Sequence, residues 1–148
     1  GIKIIFQYRE SAFYPAISWQ LANQVQAWQL GENKEHKSKV DSFEYQELEE
    51  PPIERRTAWY KKYIPYYHSL LPFDAYISKY EDLYGLETYD ERLSKFNKLI
   101  DYLDIEVDYN NIENFLGTDR RVFGKKAYDK ISNFQEMFDK YGEEKIIL

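Results

Sequence analysis

Ile4, Ile5 and Phe6 stand side by side in Lys3-Ile4-Ile5-Phe6-Gln7-Tyr8, and a short apolar run of this kind predicts a strand over residues 3–8. Consecutive rather than alternating apolar positions suit a buried strand of a parallel sheet covered on both faces. The period then changes. Ile17, Leu21, Val25 and Trp28 recur at helical spacing, which predicts a helix that Ser11 can cap or Pro15 can open and that Gly31 ends. Residues 32–50 are acidic and polar, anchored only by Phe43, Tyr45 and Leu48, and read as a loop with room for one helical turn. Pro51-Pro52 punctuates the chain before a second long helix, whose apolar face is Ile53, Tyr60, Tyr63, Ile64, Tyr67 and Leu71. Pro65 should kink or end it, because proline removes a donor and clashes with the preceding turn.

A second strand is predicted over 75–80. Thr88 and Glu91 then have the spacing of a capping box, opening a helix striped by Leu93, Phe96, Ile100 and Leu103. Residues 104–118 are irregular and Asn-rich, and a last helix is predicted over 126–141, buried through Ile131, Phe134, Phe138 and Tyr141. The order strand–helix–helix–strand–helix–helix makes the chain α/β by sequence and helix-heavy by content.

Composition adds a core. Fifteen Tyr, nine Phe and three Trp make 18% of the 148 residues, far more aromatic content than a disordered chain carries. That length favours one domain over residues 1–148. There is no Cys, which excludes disulfides, cysteine catalysis and thiolate metal sites. No apolar run approaches the roughly 20 residues of a membrane-spanning helix, and no signal peptide opens the chain, so a cytoplasmic location is expected. The net charge of −6 argues against general nucleic-acid or anionic-membrane binding. Charge is uneven, however. Residues 81–91 carry five acids and no base, while residues 119–130 carry five bases against two acids, enough for a small anion to find a positive pocket.

Three groups of residues could carry chemistry. Arg9 leaves the first strand at its carboxyl end, where open α/β sheets bind ligands, and its fork suits a phosphate. Ser18 on the next helix could add a hydroxyl; the plainer alternative pairs Arg9 with Glu10. Tyr80, in Tyr80-Glu81-Asp82-Leu83, leaves the second strand and could lay its ring against a flat base or pack in the core. Arg120-Arg121-Val122-Phe123-Gly124-Lys125-Lys126 combines four cations with a glycine just before a helix, a plausible anion cradle or a solvated basic loop. His36 sits in the charged loop and reads as solvated, while His68 sits on a helix and reads as structural. No pair has metal-ligand spacing.

Together these residues resemble the carboxyl-terminal part of a sulfotransferase that uses 3′-phosphoadenosine-5′-phosphosulfate, especially the bacterial and phage branches. The resemblance runs from Tyr8-Arg9-Glu10 to Ile17-Ser18-Trp19, with Ala22 and Trp28 on the same helix. It continues through Lys79-Tyr80-Glu81-Asp82-Leu83 and Tyr102-Leu103-Asp104 to Lys125-Lys126 and Ile131-Ser132-Asn133-Phe134. It implies a partial, helix-rich, three-layer P-loop-like fold with a short parallel sheet. It further implies that Arg9 and Ser18 bind the cofactor's 3′-phosphate, that Tyr80 contacts the adenine, and that Lys125 or one of Arg120, Arg121 and Lys126 closes over the phosphate. The reaction implied is sulfuryl transfer to a hydroxyl acceptor such as a carbohydrate or a lipid. Three departures stand out. The Arg9–Ser18 interval is one residue longer than usual, and the terminal basic segment lacks the fuller Arg-Lys-Gly pattern. The family's phosphosulfate loop and catalytic base both lie upstream of the position matched by Arg9. The abrupt opening strand therefore reads as a sheet lacking its first strand and loop. A fragment inactive by itself, with an exposed edge or a second copy beside residues 3–8, is the expectation. The rival expectations are a non-catalytic helical interaction module, with Arg9 and Tyr80 structural, and a degenerate relative that folds without turnover.

Overall fold

The computed structural model describes residues 1–25, 46–84, 88–112, 116 and 125–148. The chain is mixed α/β and helix-rich, with a short two-stranded parallel sheet. It divides into two compact units. The first comprises residues 1–10, 64–119 and 148, and the second residues 11–63 and 120–147.

In the first unit, β1 (Ile5–Tyr8) pairs in parallel with β2 (Tyr76–Lys79), in register Ile5 to Tyr76 and Tyr8 to Lys79. The parallel sheet expected from the apolar run is therefore present, but its burial is not as expected. Ile5 is 41% exposed and Gln7 is exposed, whereas Tyr8 and, on β2, Ser78 are buried. Among the described residues β1 has one strand neighbour, so it lacks the two-sided cover of a central strand. A side chain extends the pairing where backbone runs out. The Ile4 amide donates to Tyr102 Oη at 3.1 Å, and the same hydroxyl donates to the Ile4 carbonyl at 3.0 Å. That carbonyl also accepts the Tyr76 amide at 2.9 Å. The Tyr76 and Tyr102 rings pack in a tilted arrangement with centroids 5.2 Å apart, and Lys3 covers the Tyr102 ring.

Chain leaving β2 turns at once into α3 (Tyr80–Tyr84), which packs on α4 (Tyr89–Leu103). The capping box forms as its spacing predicts. The Glu91 amide donates to Thr88 Oγ1 at 3.4 Å, and the Thr88 amide donates to Glu91 Oε2 at 2.9 Å. At the other end Asp104 adopts φ 55°, and its amide donates to the carbonyls of Ile100 and Asp101. Within the irregular 104–118 stretch a 3-10 turn spans Tyr109–Asn111, and Ile112 and Leu116 are buried.

The second unit holds an apolar core with partly buried aromatic rings packed against it. α1 (Phe13–Val25) buries Phe13, Ala16, Ile17, Leu21 and Ala22 against Leu48, Ile53, Ile131 and Met137. Phe13 meets Phe134 and Phe138 edge-on at 5.8 and 5.6 Å. Ser11 lies just ahead of the helix and accepts the Tyr14 amide at 3.4 Å. The predicted helix end at Gly31, Trp28, and the loop anchors Phe43 and Tyr45 lie outside the described residues. Leu48 is buried as expected.

Three expectations for the long helices need correction. α2 (Glu50–Ser69) includes Pro51 and Pro52 in its first turn, where missing amides cost nothing, and runs on through Pro65 to Ser69. Its buried residues are Ile53 and Thr57, while Tyr67 is exposed and Tyr60, Tyr63, Ile64 and Leu71 are half-buried. The Tyr hydroxyls and flanking Lys and Arg make that stripe amphipathic rather than core. Finally, the helix expected over 126–141 is two helices, α5 (Lys125–Tyr128) and α6 (Phe134–Tyr141). Between them Ile131 bridges Gln46 in parallel: the Gln46 amide donates to the Lys130 carbonyl at 3.1 Å and the Ser132 amide to the Gln46 carbonyl at 3.0 Å. Asn133 finishes the joint, accepting the Leu48 amide at 2.8 Å and donating to the Leu48 carbonyl at 2.9 Å. Gly142 follows α6 because a Cβ there would collide with the Phe138 ring.

Candidate functional site at the strand ends

Parallel pairing brings two carboxyl ends together. Because Tyr8 stands opposite Lys79, the next residues, Arg9 and Tyr80, leave the sheet on the same edge. The Arg9 guanidinium lies over the Tyr80 ring, its Cζ 3.8 Å from the centroid. Guanidinium on an aromatic face leaves the N–H donors at its rim pointing outward. Among the described residues no acid or carbonyl accepts a hydrogen bond from Arg9, which distinguishes it from an ordinary surface ion pair.

The neighbouring charges are engaged with each other. The Glu10 carboxylate forms an ion pair with Lys79, and the Glu10 amide donates to Glu81 Oε2 at 3.2 Å. Asp82 accepts from Lys95 at 3.3 Å. The Glu10 hydrogen bond, offset by partial desolvation, raises the Lys79 pKa. Burial raises that of the Tyr8 hydroxyl, with Lys79 opposing and Glu10, Glu81 and Asp82 adding to the rise. Among the described residues the edge thus carries a stacked cation with open donors, an aromatic ring beneath it, and a lattice of compensated charges around it. Chemically, the outward donors of a stacked guanidinium suit an anion.

Ser18 belongs to the second unit, where its hydroxyl stands 3.5 Å from that of Tyr128. Lys125 opens α5, but its side chain, that of Lys126, and all of Arg120, Arg121 and Gly124 lie outside the described residues. So does His36. His68 places its ring 6.2 Å from Phe6 in the first unit. Ile131-Ser132-Asn133-Phe134, the last stretch of the resemblance, forms the bridge and joint that lead into α6. Among the described residues no cluster of His, Asp and Glu could hold a metal ion, and no helix is long and apolar enough to cross a membrane.

Sequence reasoning did not assign roles to Lys79 or Glu81 at this edge. The available signal was charge order: a base preceding Tyr80 and an acid following it, opposite Arg9-Glu10. In the second unit it also missed the stack of Arg56 on Trp19, with Cζ 3.6 Å from the ring centroid, and the buried Gln20 Oε1 and Thr57 Oγ1, which have no hydrogen-bond partner among the described residues. No protein-family model, curated protein or solved structure matches the chain.

Proposed function

We propose that the chain is sulfotransferase-like and binds the 3′-phosphoadenosine end of 3′-phosphoadenosine-5′-phosphosulfate at the carboxyl ends of β1 and β2. One observation carries the reading: Arg9 lies on Tyr80 with its hydrogen-bond donors unused among the described residues. Arg9 would take the 3′-phosphate through its fork, and Tyr80 would offer ring and hydroxyl to the adenine. Ser18, Arg121 and Lys125 join the phosphate site on the sequence resemblance alone. The three-layer P-loop-like architecture belongs to the same proposal, as does sulfuryl transfer to a hydroxyl acceptor, for which a carbohydrate is the expected class. No residue of this chain is assigned to the transfer step itself.

Adenosine 3′,5′-bisphosphate tests the reading without requiring turnover. At a hundredfold excess over its dissociation constant, a ligand specific for the native state adds about 2.7 kcal/mol of stability. The melting temperature should therefore rise, and Arg9→Ala should abolish the rise. An unchanged melting temperature at millimolar nucleotide would overturn the proposal.

A second reading, a non-catalytic interaction module, is favoured by the exposure of Tyr66, Tyr67, Leu70 and Phe73 along the end of α2 and the turn after it. It predicts the opposite result, a melting temperature indifferent to the nucleotide.

A further inference from the structure

We infer that Lys79 and Glu81 are positioning residues that hold Arg9 on Tyr80. This deepens the nucleotide reading, since it rests on Arg9 and Tyr80 forming the binding edge, but it makes a physical claim that can be tested without nucleotide.

The reasoning starts from the chain between Arg9 and the next element. Once β1 ends at Tyr8, Arg9 and Glu10 have no strand partner among the described residues, and the next bridge is that of Ser11 with Lys145. Two groups from the β2 side supply that restraint. Glu81 Oε2 accepts the Glu10 amide at 3.2 Å, so a side chain replaces the carbonyl that a longer sheet would present. Lys79 binds the Glu10 carboxylate, tying the same residue a second time. Both holds flank Tyr80 in sequence, one on either side. Fixing Glu10 to residues 79 and 81 therefore fixes Arg9 relative to residue 80, which places the guanidinium over the ring.

The charges follow the same logic. Glu10 is the nearest acid in sequence that could draw Arg9 away from the ring. With its carboxylate on Lys79 and its amide on Glu81, Glu10 leaves the Arg9 fork open to an external anion among the described residues. A preorganised donor binds more tightly than one that must first be ordered. Neither Lys79 nor Glu81 needs to touch the ligand.

Nuclear magnetic resonance on the full chain reads the stack directly, because the Tyr80 ring current shifts the Arg9 δ-methylene protons upfield. Glu81→Ala and Lys79→Met should each move those resonances toward free-arginine values and weaken adenosine 3′,5′-bisphosphate binding, Glu81→Ala by about tenfold. Glu81→Gln keeps an acceptor for the Glu10 amide and should preserve both readouts. Lys79 and Glu10 are partly exposed, so Lys79→Met serves if Glu81→Ala does not fold. Arg9 resonances unmoved in Lys79→Met and in folded Glu81→Ala would overturn the positioning role, whatever the nucleotide does. Resonances that move in a wild-type chain blind to the nucleotide would establish the clamp and sink the nucleotide reading instead.

Discussion

Phe13, Ile17, Leu21 and Ile53 are fully buried in the second unit, whereas the first unit hides Tyr8, Leu83, Ile100, Ile112 and Leu116, one or two from each of its segments. The second unit therefore draws on a contiguous apolar cluster, where each large side chain contributes roughly 1.5–3 kcal/mol on burial. The first relies more on directed contacts: Tyr102 on Ile4, the capping box on α4, and the Glu10 links to Lys79 and Glu81. Each such hydrogen bond is worth about 1 kcal/mol net. Directed contacts are weaker per group but fix geometry, and the candidate site lies on the unit that uses them. Both units stack an arginine on an aromatic ring, Arg9 on Tyr80 and Arg56 on Trp19. Only the first places its arginine at the carboxyl ends of parallel strands, which is why the site is assigned there.

The difference is broken most sharply at its apolar pole. Phe13→Ala removes the ring that meets Tyr14, Phe134 and Phe138, and should destabilise the protein by about 3–5 kcal/mol. Urea denaturation monitored by circular dichroism gives the number. A loss below about 1 kcal/mol would mean that the cluster is loosely packed and that the contrast between the units fails.

Its polar pole answers to a smaller change. Tyr102→Phe keeps the ring on Tyr76 and under Lys3 but removes the hydroxyl that serves both the amide and the carbonyl of Ile4. The carbonyl keeps the Tyr76 amide, so the Ile4 amide is the group left without its partner. The expected loss is about 1 kcal/mol, with faster hydrogen exchange at Ile4. If Tyr102→Phe cost as much as Phe13→Ala, the first unit would depend on that one hydroxyl to an extent ordinary hydrogen bonding does not explain.

What could be read from the sequence follows the same divide between local and long-range causes. The Thr88–Glu91 box was legible because its chemistry closes within four residues. The two strands and their parallel order were legible from apolar runs separated by helices. Arg9 and Tyr80 were each legible as residues leaving a strand, but their stacking depends on the Tyr8–Lys79 register, which no local pattern encodes. Ile131, Phe134, Phe138 and Tyr141 keep helical spacing, yet the backbone breaks at Ile131 because Gln46 claims the Lys130 carbonyl and the Ser132 amide while Leu48 pairs with the Asn133 side chain. Tertiary pairing overrode a correct periodicity there. Phe13 escaped notice for a related reason. It precedes the stripe that begins at Ile17, and only the aromatic side chains of α6 reveal it as the centre of the core.

The smallest expected effect is electrostatic and resolves the two units by their acids. In the first unit, hydrogen bonds from the Thr88 amide and then the Thr88 hydroxyl hold the Glu91 carboxyl below its ordinary value, outweighing desolvation. In the second, the Tyr141 hydroxyl followed by Lys140 does the same for Glu50, and Lys61 does it for Glu144. A carboxyl whose folded pKa lies below its unfolded value of about 4.3 contributes its full stability above that value. It loses that contribution as pH falls through the folded value, because the unfolded chain then takes up protons more readily. Glu91→Gln retains a side-chain acceptor at the third helical position but cannot titrate. Its urea midpoint should therefore fall less steeply than wild type between about pH 5 and pH 3, while Glu50→Gln should remove a comparable slope from the second unit. All three carboxylates are surface groups, so each change is expected to be well below that of Tyr102→Phe. Wild-type and Glu91→Gln curves that run parallel through the acid range would show that the capping box holds no more tightly to the carboxylate than to a neutral amide.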